Sequence, residues 1–128
     1  MKKVDFFIVG QPKSGTTALA SFLDERPEIH MSVPKEVGYM SKDHIKESDD
    51  FHGYKKFFHI RTEEDYKNTF KDAKPEQITG EASTNYLYSK VAAKEIKDHN
   101  PKAKIIIMLR NPVDMVHSLH MQYLNETR

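Results

Sequence analysis

Cysteine and tryptophan are both absent from these 128 residues. Without cysteine there is no disulfide and no thiolate, neither as nucleophile nor as soft metal ligand, which fits a reducing compartment. Glycine is scarce, with five in all, so a pair of glycines close together in a loop carries information. No apolar run is long enough to cross a bilayer, and the opening MKKVDFFIVG sets two lysines before a run too short for a signal peptide. An excess of one charge is lacking as well. The formal net charge of +1 gives no case for nucleic acid or an anionic membrane, so an anionic ligand would have to be held by locally placed Lys and Arg. These exclusions lead to the expectation of a cytoplasmic protein with no nucleic-acid partner and no membrane span.

What is present is ordinary for a globular chain: 38% hydrophobic and 30% charged residues. The length predicts one domain, residues 1–128, around one core. Apolar runs alternate with helical patterns. Val4 to Val9 reads as a strand buried on both faces, followed by a helix from Thr16 to Glu25 that stops before Pro27. Ile29 to Val33 is a short second strand. The polar stretch Pro34 to Gly53 reads as a surface loop or short helix bordering a substrate site. Thr62, with Asp65 three residues on, starts a helix running to about Lys71. Gln77 to Ala82 is a strand, Tyr88 to Asp98 a helix and Lys104 to Leu109 a strand. Asn111 caps a last helix with Pro112 at its first position and Asp114 in its first turn. The alternation predicts an α/β fold, a P-loop-like three-layer sandwich with a central parallel sheet flanked by helices and ligands at the carboxyl ends of the strands.

The stretch Gly10 to Thr17, GQPKSGTT, lies between the first strand and the first helix. Gly10 and Gly15 let successive N–H groups turn into one concavity, and the helix N-terminus behind adds partial positive charge, an arrangement suited to phosphate. Its spacing approximates GxxxxGK[ST], with Gly10, Gly15 and Thr17 in register, Thr16 at the lysine place and the lysine displaced to Lys13.

GQPKSGTTAL resembles the 5'-phosphosulfate loop of PAPS-dependent sulfotransferases, and KAKIIIMLRNPVDMVHSLH, Lys102 to His120, resembles their 3'-phosphate segment. PKEVGYMS (Pro34 to Ser41) and GEASTNYLYS (Gly80 to Ser89) are similar to intervening blocks of the heparan-sulfate-type and bacterial branch. The resemblance runs in order along almost the whole chain and covers the N-terminal half of such a domain, so the chain is expected to be incomplete, a short variant or a remnant. It implies PAPS (3'-phosphoadenosine 5'-phosphosulfate) as donor, PAP as product, and a small-molecule or carbohydrate acceptor. The histidines are scattered and no HExxH or carboxylate pattern joins them, so no metal is expected. A homo-oligomer that completes the site is a further expectation.

Sulfuryl transfer builds negative charge on the leaving phosphate oxygen, which needs a fixed donor there. The resemblance implies Lys13 for that role, with backbone N–H groups of Ser14, Gly15, Thr16 and Thr17 and the two threonine hydroxyls at the 5'-phosphate. Arg110 offers a planar fork for the 3'-phosphate and Ser118, eight residues on, a second contact. The plainer readings are a surface ion pair for Arg110 and a solvated helical serine for Ser118. Glu36, in PKEVGYM, resembles the catalytic glutamate of the heparan-sulfate-type branch and would take the acceptor's proton, against a plain surface glutamate beside Lys35. Glu81 reads either as an alternative base or as a strand-end carboxylate paired with a lysine. Ala82 follows it where the family often has a lysine, so that cation's work is missing or supplied elsewhere. None of the seven histidines is nominated, and His117 and His120 read as one helical face. Tyr54, Phe57 and Phe58 read as acceptor wall or as core. A P-loop kinase or NTPase, or a non-catalytic nucleotide-binding module, are the alternatives. The kinase would want a lysine at Thr16 and an acid where Arg110 stands.

Overall fold

The computed structural model describes residues 3–126. The first apolar run forms β1 (Phe6–Gly10), buried along its whole length. There follow α1 (Thr16–Asp24), β2 (Ile29–Met31), α2 (Lys42–His52), α3 (Glu63–Asn68), β3 (Ile78–Ala82), a 3₁₀ turn (Tyr86–Tyr88), α4 (Ala92–His99), β4 (Lys104–Ile107) and α5 (Pro112–Glu126). The strands make one sheet in the order β2-β3-β1-β4, and every pairing is parallel, as the strand-helix alternation requires.

Side chains of β1 alternate between two apolar layers. Phe6 and Ile8 pack with Ala20, Met31 and Ala82, flanked by Leu19 and Leu23 of α1. Phe7 and Val9 face the other way, onto Tyr66 of α3, Tyr86, and Ala92 and Ile96 of α4. Phe7 and Ile8 have no exposed surface at all, and burying each stabilises the fold by roughly 1.5–3 kcal/mol. The sheet thus has helices on both faces, and β1 at its centre ends in the Gly10 loop.

Several boundaries differ from the sequence reading. The Pro34 to Gly53 stretch holds a full eleven-residue helix, α2, supported by the Lys46–Asp50 pair at i, i+4 and ended by Gly53 at φ 75°. The Thr62–Asp65 capping box is complete, with reciprocal bonds of 3.0 and 3.2 Å, but α3 stops at Asn68. Helix α4 begins at Ala92 because Tyr86 turns into the core and the Ser89 hydroxyl accepts the N–H groups of Val91 and Ala92. β4 ends at Ile107, short of Leu109, and lies at one edge of the sheet. Ile105 and Ile107 are about half exposed, and no residue of α5 is buried. Asn111 does cap α5, its side chain accepting from Val113 N–H at 2.9 Å.

Candidate active site

The loop after β1 places its groups by backbone geometry. Gly15 adopts φ 83° as the residue before α1, a left-handed conformation that lets the chain turn straight into the helix. No side chain caps α1. Its first-turn residues Thr16, Thr17 and Ala18, with Lys13, Gly15, Ser21, Arg110 and Ser118, line one cavity of about 480 Å³. Residues as far apart in the sequence as Lys13 and Ser118 therefore meet at the N-terminal end of one helix, where its first-turn amides and the helix dipole favour an anion.

Of the residues expected at the nucleotide, Lys13, Gly15, Thr16, Thr17, Arg110 and Ser118 are brought together. Arg110 Nη1 donates to the Lys13 carbonyl at 3.1 Å, joining the two motifs directly. Ser14 is the exception in its side chain: it is buried, and its hydroxyl donates to the Pro12 carbonyl at 3.4 Å, leaving only its backbone to serve a ligand. Thr16 is buried too, so Thr17 is the hydroxyl more open to solvent. His117 and His120 lie on a separate depression of α5 with Pro112, Val113 and Val116.

A second cavity, of about 580 Å³, is lined by Pro34, Lys35, Glu36, Val37, residues 57–60 and Asn85. Glu36 is tethered from β3's end: its N–H donates to the Ala82 carbonyl at 3.1 Å, and the Thr84 N–H donates to its carboxylate at 2.9 Å. The Glu36 residue keeps an exposed side; desolvation of its carboxyl pushes it above the ordinary glutamate range, and the Thr84 bonds pull it partly back. A base that holds its proton more tightly than a free glutamate is a better proton acceptor near neutral pH. Phe57 and Phe58 stand on the wall of this cavity and Tyr54 is exposed outside it, so none of the three belongs to the buried core.

Lys35 lines the second cavity, and its Nζ donates to the Ser21 hydroxyl, a wall of the first, at 3.3 Å. The two cavities are therefore neighbours across one side chain. Three non-glycine residues take positive φ among the described residues: Lys13 at 59°, Glu36 at 53° and Phe58 at 59°. Each costs roughly 1–2 kcal/mol relative to ordinary backbone, and all three line one cavity or the other. Backbone strain collected at two adjacent clefts is the pattern of positions held for function.

Glu81 is neither of the two things its place suggested. It is fully buried, so no acceptor reaches it, and its partners are the hydroxyls of Ser83, Tyr66 and Tyr86 in place of a lysine. Burial pushes its carboxyl up, against the pull of those three hydroxyls. Sequence reasoning also passed over Lys35, Ser21 and Arg61. Arg61 grips Asp49 with two bonds of 2.7 and 2.8 Å and the Phe57 carbonyl with another of 2.8 Å, which ties the cavity wall to α2. Only the PKE tripeptide hinted at Lys35, and nothing local signals the Arg61 contacts. Among the described residues no group of three or more His, Asp or Glu could hold a metal ion.

The sulfotransferase family profile matches residues 5–128. Among curated proteins the chain is similar to bifunctional heparan sulfate N-deacetylase/N-sulfotransferase 1 of Homo sapiens, with 32% identity over 116 residues, 87% of this chain and 12% of that protein. It is also similar to carbohydrate sulfotransferase 15 of Homo sapiens, with 24% identity over 155 residues, 96% of this chain and 28% of that protein. A solved sulfotransferase from Alicyclobacillus acidocaldarius matches with a TM-score of 0.87 and 34% identity, over 100% of this chain and 53% of that one. The chain spans about half the length of that bacterial relative and a smaller share of the curated ones. With the family profile matched along nearly the whole chain and the fold shared with a solved relative, this chain belongs to the sulfotransferase family.

Proposed function

We propose that this chain carries the donor-nucleotide side of a sulfotransferase that moves a sulfuryl group from PAPS to a hydroxyl or amine of a carbohydrate acceptor and leaves PAP. The observation that carries the reading is the single cavity collecting Lys13, Gly15, Thr16, Thr17, Arg110 and Ser118, with the Glu36 cavity beside it. The loop amides and the Thr17 hydroxyl would hold the 5'-phosphate, and Arg110 with Ser118 the 3'-phosphate. Lys13 would stabilise the phosphate oxygen that becomes the leaving group as the sulfur–oxygen bond to it breaks. Glu36 would take the proton that the acceptor gives up as its own bond to sulfur forms. The carbohydrate class rests on what the curated relatives' names say of them.

A kinase or NTPase would want a lysine where the buried Thr16 stands at the start of α1. The test is calorimetric titration with PAP, 5'-AMP and ATP–Mg²⁺, followed by a transfer assay from PAPS to heparan-type and other oligosaccharides. Selective PAP binding with measurable transfer supports the reading. Tighter ATP–Mg²⁺ binding overturns it, and PAP binding without transfer to any acceptor reduces it to a nucleotide-binding module.

A further inference from the structure

Glu81 is the one buried carboxylate among the described residues, and the proposed transfer does not use it. A carboxyl group in the core is costly to keep unless its position does something an apolar side chain could not. Its oxygens are taken up by hydroxyls alone. Ser83 Oγ donates to Oε1 at 2.6 Å, Tyr86 donates to the same oxygen, and Tyr66 donates to Oε2.

Each hydroxyl has a single hydrogen. With that hydrogen committed to Glu81, the Ser83 oxygen is left as an acceptor and takes the N–H of Gly38 at 3.0 Å, and the Tyr86 oxygen takes the N–H of Met40 at 3.1 Å. Gly38 and Met40 belong to the same segment between β2 and α2 as Glu36. The carboxylate of Glu36 is held in its turn by Thr84 N–H, the neighbour of Ser83. Residues 36–40 are thus fastened to residues 82–86 bond by bond, and Glu81 sets the direction of the two hydroxyls that do the fastening. The segment it holds contains Glu36 at φ 53°, a conformation that persists only where the surroundings over-determine it.

We propose that Glu81 is a positioning residue for Glu36, acting through the Ser83 and Tyr86 hydroxyls on the backbone of Gly38 and Met40 and so fixing where the Glu36 carboxylate points. The titratable groups around Glu81 are Tyr66, Tyr86 and Glu36, with Tyr39 and His99 against the Tyr66 ring. The role deepens the reading of Glu36 as base, but its test does not depend on transfer.

The experiment follows the side-chain carboxyl of Glu36 by carbon-13 NMR titration in the full chain, together with the backbone amides of Gly38 and Thr84. The variants are Ser83→Ala and Tyr86→Phe, which remove one oxygen each, Glu81→Gln, and Ser83→Thr, which keeps the hydroxyl. In Ser83→Ala and Tyr86→Phe the Glu36 midpoint is expected to move down toward the ordinary glutamate value as the segment loosens, with the Thr84 amide shifting too, and Ser83→Thr is expected to behave as the parent. Glu81→Gln is expected to give the same downward move; if that core change does not fold, the two hydroxyl deletions decide. Folded Ser83→Ala and Tyr86→Phe proteins with an unchanged Glu36 midpoint and Thr84 amide overturn the proposal. Separately, full transfer by Glu36→Gln would remove the base role while leaving the positioning result standing.

Discussion

Arg110 donates through Nη1 to the backbone carbonyl of Lys13 at 3.1 Å, linking positions 97 residues apart. The arginine therefore fixes the shape of the loop as well as offering its remaining donors to the cavity. Arg110→Ala is expected to weaken PAP binding by roughly 10- to 100-fold, the scale of one or two charge-assisted hydrogen bonds. Affinity for 5'-AMP is expected to fall much less, which calorimetry reads directly. Arg110→Lys should recover only part of the loss, since a single ammonium cannot both hold the carbonyl and fork a phosphate.

Lys13→Ala is expected to lower the transfer rate by about 10²–10³-fold, the range seen when one donor is removed from developing charge. PAP affinity should change by much less than the rate. Single-turnover kinetics at saturating PAPS separates the two, and equal losses in rate and affinity would mean Lys13 only binds.

The Glu36 carboxyl is held above its ordinary value by desolvation. As a base it works ionised, so transfer is expected to rise with pH along a limb lying above the ordinary glutamate value of about 4.3. For stability the sign is opposite to that of a paired carboxylate: the unfolded chain gives up this proton at lower pH than the native protein. The native state is therefore penalised as pH climbs from the unfolded to the folded midpoint, and Glu36→Gln should remove that part of the pH dependence of Tm. The same variant is expected to lose about 10²–10⁴-fold in transfer.

Lys35 reaches from the Glu36 cavity to Ser21 on the wall of the other. A cation at that junction can supply what β3, ending in Ala82, does not. Lys35→Ala is expected to cost about 10-fold or more in transfer with PAP binding little changed, and Lys35→Arg to retain part of the rate.

At Gly38, φ is 70° and an added Cβ would lie 2.6 Å from the Phe58 ring. Gly38→Ala combines a strained backbone with a clash against the cavity wall, and is expected to destabilise the protein by about 1–3 kcal/mol, read as a lower Tm. Moving Phe58 should also raise KM for the acceptor more than for PAPS.

The features legible along the chain are those whose physics is local. A continuous apolar run makes β1 central, two glycines and a following helical pattern make the tight loop into α1, Thr62 with Asp65 makes a capping box, and Asn111 with Pro112 starts a helix. Those signals, together with two motifs in the right order, were enough to point to the family and to the residues that share the first cavity. Helix α2 was only half legible, because its polar surface lacks a buried stripe and its stability comes from charge pairs and a terminal glycine.

Tertiary structure alone decided the rest. Whether Glu81 meets a lysine, an acceptor or three hydroxyls depends on Tyr66 and Tyr86 arriving from elements 15 and 5 residues away, and no period in the chain encodes that meeting. Lys35 spanning to Ser21 and Arg61 reaching back to Asp49 are likewise contacts across chain distance. Local pattern fixes which residues form an element; the direction of each side chain and the partner it meets are set only when the sheet has brought the elements together.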